Sequence, residues 1–358
     1  MRLWKSFCRF CCCSLLLWQQ QQQRSSALLV NSPRSSQDTR RRSSFTAGIQ
    51  IMSSSQSSQQ QLSQSQKPSP PPLSRPDLIR KLLKGIETGD PESVKVVNES
   101  KYTQHNPQTE EGGPGLAALF ERLSKTNPRV NVVRAFEDGD YVFGHTEYDF
   151  ATRRIGFEIF RFDGQDDDDH NNDDNNKAVE HWDNIQPRID VEGRQAIMVD
   201  GPTEATDLEL TESNREVVRS FVQTVFLGRK FESSSSSSSV AADYVSTDLI
   251  QHDPRLFGTN GREAWMEFLD KNYTYEKLHC LLCQGSFALS VCEGKVLVQE
   301  DEKDGREKEH HHSAIFNLYR LSSSGTIVEH WNTVEKVPDK STWKNNNGKF
   351  NFPSSALR

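Results

Sequence analysis

Lys177-Ala-Val-Glu-His-Trp-Asp183 and Thr326-Ile-Val-Glu-His-Trp-Asn332 are one segment written twice. Upstream, Gln104-His-Asn-Pro107 matches Gln251-His-Asp-Pro254. From His105 to Asp183 is 78 positions, and from His252 to Asn332 is 80. Two anchors in the same order at nearly the same spacing imply a duplicated domain. The repeat is about 148 residues, which suits two domains in a chain of 358 residues.

Helix and strand periods fill in each copy. Leu78, Ile79, Leu82, Leu83 and Ile86 form one apolar helical face, and Val217, Val218, Phe221, Val222 and Val225 repeat its phase. Pro76-Asp77 and Ser213-Asn214 are start signals. A short helix is expected near Pro91–Val97. A further helix carries Leu116, Leu119, Phe120 and Leu123, matched by Trp265, Met266 and Leu269. The period then falls to two. Strands are expected from Val130, then over Tyr141–Tyr148, Ile155–Phe162 and Ala178–Ile185. In the second copy they fall at Leu278–Leu282, Phe287–Val291, Val296–Glu300, Ser313–Leu321 and Thr326–Val334. Helices followed by meandering strands give an α+β fold. The limits read as a leader over 1–76, a first domain over 77–190, a linker over 191–212, a second domain over 213–337 and a tail over 338–358. Each copy leaves one apolar sheet face in need of cover, so an internal pseudo-dimer is expected, with a homo-oligomer as the alternative.

Charge divides the chain. Residues 1–76 hold ten Lys/Arg and one acid, Asp38, within a chain whose net charge is −7, so the remainder carries −16. An acidic body lacks the clustered cations that phosphate contacts need, which argues against nucleic acid as a partner. The leader is rich in Ser, Gln and Pro, and such a composition is expected to stay disordered. Its start is basic, then apolar over Phe7–Trp18, too short for a stable membrane span and interrupted by Arg9. The leader reads as an import segment for a plastid or mitochondrion, or as an extension upstream of a start at Met52, which would leave a cytoplasmic protein. Its cysteines could also carry palmitate.

Cys280 and Cys283 have a metal-like spacing, and His279 with His310–His312 could complete a zinc site. The stronger reading makes them core residues in a reducing compartment, with no structural disulfides. Asp163–Asn176 lacks the pattern of a calcium loop and reads as a solvated hairpin insertion. Ser233–Ser239 reads as a flexible insertion.

Gln104–Pro107, the strand Phe157-Glu-Ile-Phe-Arg161 and Val179–Asp183 together resemble the SnoaL-like, polyketide-cyclase-like branch of the nuclear-transport-factor-2-like superfamily. The resemblance covers about residues 77–190 and 213–337. It implies two tandem cones, each a curled antiparallel sheet with helices closing a cavity. It also implies cofactor-independent acid/base chemistry, because SnoaL itself is an aldol-condensation cyclase with an aspartate acid/base. Relatives include isomerases, dehydratases and epoxide hydrolases, and many members have no shown activity, so fold alone does not give function.

The residues themselves point to a site in the first copy. Alternation on a strand puts Val179, His181, Asp183 and Ile185 on one face, and Glu158, Phe160 and Phe162 on the face of the next strand. Two carboxylates and an imidazole among apolar walls have the tuned pKa values that acid/base catalysis needs. Asp183 is the expected acid/base, with Glu158, His105, His145 and His181 as partners. His105 also reads as a brace of the helix-to-strand turn, and His145 as a satisfied core histidine. Tyr102, Asn106, Phe120 and Phe160 are the expected pocket lining. In the second copy Asn332 stands for Asp183, Asn317 for Glu158 and Gln299 for His145, while His252 and His330 remain. An amide cannot take a proton at neutral pH, so the second copy reads as degenerate. There is no phosphate loop, nucleophile motif or strong metal-ligand spacing, and no cofactor is required. The expectation is a cyclase, isomerase or hydratase acting on a small hydrophobic carbonyl compound. The alternative is a non-catalytic binding or association module.

Overall fold

In the computed structural model the described residues are 72–164, 176–194, 197–231, 240–256, 258–259, 261–298 and 309–357. The leader before residue 72, most of the Asp163–Asn176 insertion and the serine run 233–239 lie outside them, as does Gln299.

Ser74 caps the first helix by accepting from Asp77 N at 3.3 Å, and Gly89, at φ 68°, ends it. That helix, α1 (Arg75–Thr88), buries Ile79, Leu82, Leu83 and Ile86. A 3₁₀ turn over Pro91–Val96 and helix α2 (Gly112–Ser124) complete the cover of the first sheet. The second sheet is covered by α3 (Thr211–Phe221), which runs on through a π turn over Val222–Leu227, and by α4 (Arg262–Asn272). The apolar phase over Val217–Val225 thus predicts the buried face of α3 and of the π turn beyond it.

The first sheet comprises β1 (Thr103–Gln104), β2 (Arg129–Asp138), β3 (Tyr141–Asp149), β4 (Arg153–Phe162) and β5 (Ala178–Pro187), in the order β1-β5-β4-β3-β2. The second comprises β6 (Val245–Gln251), β7 (Tyr273–Gln284), β8 (Phe287–Val298), β9 (Glu309–Leu321) and β10 (Ile327–Lys336), in the order β6-β10-β9-β8-β7. Among the named strands of the described residues, the edge pairs β1–β5 and β6–β10 are the parallel ones. The two sheets share one topology, which is the α+β duplication expected.

Two local expectations change. Gln104-His-Asn-Pro and its second copy are not plain turns, because each begins at the end of an edge strand, β1 or β6. The segments Phe287–Val291 and Val296–Glu300 are one strand through Val298. Gly294, inside that strand, allows close approach: a Cβ there would lie 2.3 Å from Thr274 O.

Three cores stack between four layers. One lies between α1, α2 and the first sheet, and one between α3, α4 and the second. The third fills the space between the sheets, with Phe136, Phe143, Phe157, Ile159 and Trp182 meeting Phe287, Leu289, Phe316, Leu318 and Trp331. The apolar faces that needed cover find it within the chain. Asn184 fixes the contact, donating to Thr333 O at 2.8 Å and Ala314 O at 3.2 Å. A bulge in β2 between Val132 and Arg134 aims the buried Arg134 into the same layer. Its guanidinium lies 4.5 Å over the Trp331 ring and donates to Asp200 O and Pro202 O.

Cys280 and Cys283 fall in different cores on opposite faces of β7, as a three-residue offset on a strand requires, so they do not converge on a metal. Both are free, as is Cys292. Burial pushes the Cys283 and Cys292 thiols up to about 12. Among the described residues no helix is long and apolar enough to cross a membrane.

Candidate acid/base site

Antiparallel register sets Asp183 of β5 directly across from Glu158 of β4. Both are buried. His181, one alternation before Asp183, faces the same way and stacks on Phe160, with ring centroids 4.2 Å apart. Glu158 accepts from Tyr148 Oη at 2.8 Å and faces His181 Nε2 at 2.8 Å. Gly156 makes room for that arrangement: a Cβ there would lie 2.5 Å from Glu158 Oε1 and 2.7 Å from the Tyr148 ring.

The histidine tautomer follows from its neighbours. Gln104 Oε1 accepts from Asn106 N at 2.9 Å, so its amide nitrogen faces His181 Nδ1 at 3.2 Å and donates. The proton of a neutral His181 therefore sits on Nε2 and goes to Glu158. Glu158, His181 and Asp183 offer three ligand atoms within 4.8 Å of one another. With Nδ1 capped by Gln104 and Nε2 donating to Glu158, both nitrogens of His181 are engaged. A cation would have to displace the shared proton.

Asp183 is held differently. Asn106 Nδ2 donates to its Oδ2 at 2.8 Å, while its Oδ1 is buried without a hydrogen-bond partner. Burial, reinforced by the Glu158 charge, raises the Asp183 carboxyl above its ordinary value. Tyr102 Oη is also buried and unpartnered. Burial, then the charges of Asp183 and Glu158, push that phenol well up, so it remains a neutral donor. Phe120 and Phe160 belong to the same core.

His105 and His145 stand elsewhere. Gln104 and Asn106 face the cone, so alternation turns His105 away. It stacks on Trp182 at 4.3 Å and 5° between rings, and its Nδ1 donates to Gly348 O at 3.0 Å. His145 pairs with Phe157, not Glu158, and faces the layer between the sheets. Its Nδ1 accepts from Arg134 Nη1 at 2.6 Å, and burial, with Arg134 beside it, keeps it well below its usual range. Neither reaches Asp183's face of the sheet. The signal that places them was the period of two, applied through Gln104 and Gly144. The same count identifies Gln104 and Tyr148, which sequence reading left out of the site.

The second copy keeps an acid that the sequence comparison appeared to remove. Asn317 pairs with Asn332 as Glu158 does with Asp183. However, Asn332 Nδ2 donates to Asp253 Oδ2 at 3.2 Å, the reverse of Asn106 donating to Asp183. Acid and amide have exchanged places across the cone. Burial would raise Asp253, but Arg255, bonded to it and to Tyr273 Oη, outweighs that and holds it below its ordinary value. The register also corrects the third comparison: Val291, across from Phe316, is the counterpart of His145, and Gln299 lies outside the described residues. His252 stacks on Trp331 as His105 does on Trp182.

His330 holds the opposite tautomer to His181. Gln251 Oε1 accepts from His252 N and Asp253 N and faces His330 Nδ1 at 2.9 Å, so Nδ1 carries the hydrogen. His330 Nε2 then accepts from the Asn317 amide at 3.1 Å, whose nitrogen and oxygen are interchangeable in position. Burial holds His330 down to about 3. The unfolded chain protonates it below about 6.5, so stability falls with falling pH between those values, by roughly 1.4 kcal/mol per unit. Urea unfolding at pH 6 and pH 4 should show the parent losing about 2 kcal/mol more than His330→Asn. Equal losses would show that His330 is not buried in its neutral form.

No family model and no curated protein matches the chain. Solved structures do. An LEH-like epoxide hydrolase from M. tuberculosis is 13% identical over 35% of this chain and 84% of its own, with a TM-score of 0.26. An NTF2-like protein of unknown function from Cytophaga hutchinsonii is 16% identical over 33% and 95%, with a TM-score of 0.26. A protein from Jannaschia sp. CCS1, provisionally assigned as a SnoaL-like polyketide cyclase, is 11% identical over 38% and 92%, with a TM-score of 0.26. Each spans about a third of this chain. These identities lie at 11–16%, and the duplication of the fold stands on this chain's own strand order, the same in both sheets.

Proposed function

We propose that the first copy is a cofactor-independent acid/base enzyme acting on a small hydrophobic carbonyl compound. The observation that carries this reading is Asp183 Oδ1, a buried carboxylate oxygen without a partner beside a second unpartnered group, Tyr102 Oη. Ionised Asp183 takes a proton from the carbon next to the substrate carbonyl. Tyr102 donates a hydrogen bond to the carbonyl oxygen, where negative charge develops. The enolate then attacks an internal carbonyl, as in a cyclase, or takes the proton back at another carbon, as in an isomerase. Glu158, held by Tyr148 and His181, keeps a second negative charge near Asp183 and so raises its basicity. Asn106 orients the carboxyl.

The second copy does not share this chemistry, because the Arg255 guanidinium neutralises Asp253. It braces the first copy through the layer between the sheets. The test is turnover of a panel of aldol-competent diketones, enones and epoxides by the full chain, with mass spectrometry of any small molecule retained on purification. Turnover that depends on Asp183 supports the proposal. Tight retention of a ligand with no turnover would replace it with the binding-module reading.

A further inference from the structure

The segment that follows the second sheet returns to the first copy's site. Lys344 N donates to Pro107 O at 2.8 Å. Asn345 Nδ2 donates to Asn106 O at 2.7 Å and Thr109 O at 2.9 Å. Asn347 Nδ2 donates to Gln104 O at 2.9 Å and contacts Glu111. Gly348 O receives His105, and Phe352 stacks on Trp182 at 4.4 Å. The tail thus holds the backbone carbonyls of Gln104, Asn106 and Pro107 and the side chain of His105, and Gln104 and Asn106 supply the side chains that fix His181 and Asp183. Between these anchors lies Lys349, buried, its Nζ 2.5 Å from Glu335 Oε2. Glu335 belongs to β10 and also accepts from Ile185 N at 3.1 Å, two residues beyond Asp183.

We propose that the tail 344–352 is a working part of the first copy's site, with Lys349 as a positioning residue that sets the charge around Asp183 through its pair with Glu335. The tandem arrangement is then a requirement of the site, since the acid lies in the first copy and the Lys349–Glu335 pair comes from the second copy and its tail. A buried ammonium next to a carboxylate is costly unless its charge is used or paired. This one is paired, and its field also reaches Asp183, where it opposes the effect of burial and of Glu158. The proposal rests on reading Asp183 as the acid/base, but its test needs no substrate.

The test is a carboxyl-carbon NMR titration of the full chain with labelled aspartate, the Asp183 signal being the one lost in Asp183→Asn. The groups facing Asp183 are Glu158 of β4, His181 of β5, Tyr148 of β3, Tyr102 before β1, Glu335 of β10 and Lys349. Glu335→Gln leaves the ammonium unopposed and should lower the Asp183 midpoint. Lys349→Met should raise it. The two variants should differ by about one pH unit or more, while Lys349→Arg stays close to the parent. Midpoints unchanged in both variants, or moved in the same direction as a loosened fold would give, overturn the proposal. If Lys349→Met does not fold, Glu335→Gln against the parent decides, and an unmoved midpoint overturns it. An inert substrate panel with shifted midpoints rejects only the enzymatic reading. Flat midpoints in an active protein reject only this one.

Discussion

Asp183→Asn should lower turnover by about 10²–10⁴-fold, the contribution of a positioned acid or base. The substitution keeps the shape and the hydrogen bond partner at Oδ2. Asn106 can present its amide oxygen to the new amide, as Asp253 accepts from Asn332 in the second copy. Binding should therefore survive better than turnover, and the fall should appear in kcat with little change in KM. Activity of the parent should rise with pH through the elevated Asp183 value, because the ionised form is the base. Parent-level turnover by Asp183→Asn, with loss in Asn332 or Asp253 variants, would place the chemistry in the other copy.

Trp182→Ala should cost about 3–5 kcal/mol of stability, the range for removing a buried large aromatic. Trp182 is sandwiched between His105 at 4.3 Å and Phe352 at 4.4 Å, inside the layer that joins the sheets. Its loss opens a cavity and frees the tail at one stroke. Trp182→Phe should cost less than half as much, since the indole Nε1 is buried without a partner and nothing is lost by removing it. Urea unfolding of both variants measures this, with hydrogen exchange over 104–107 rising in Trp182→Ala. A loss below 1 kcal/mol for Trp182→Ala would show that the sheets hold together without this stack.

The pair of Glu-His-Trp segments determined much by itself. Periods of 3.6 and of two are local properties of the chain, so the helical faces, most of the strands and the duplication were legible from residue order. The same alternation sets Asp183, His181 and Glu158 on a common face, and register then brings Asp183 across from Glu158. Residue type alone allowed His105 and His145 either a place in the site or a structural role, and the pleat decides for the structural one. Their imidazoles suit a site chemically, but the pleat sends them to the layer between the sheets.

Tertiary structure alone decided the rest. The exchange of acid and amide between Asn106–Asp183 and Asp253–Asn332 joins residues nearly 80 positions apart across each cone, so comparing one aligned position at a time reports a loss where the pair reports a swap. Arg255 changes what the retained acid can do, and only its position beside Asp253 reveals this. The tail has no periodic pattern to announce it, because its role lies in single hydrogen bonds and one buried ammonium rather than in a repeating apolar face. Long-range electrostatics and hydrogen bonds leave no period in the sequence, and it is those that tie the tail to Gln104, Asn106 and Glu335.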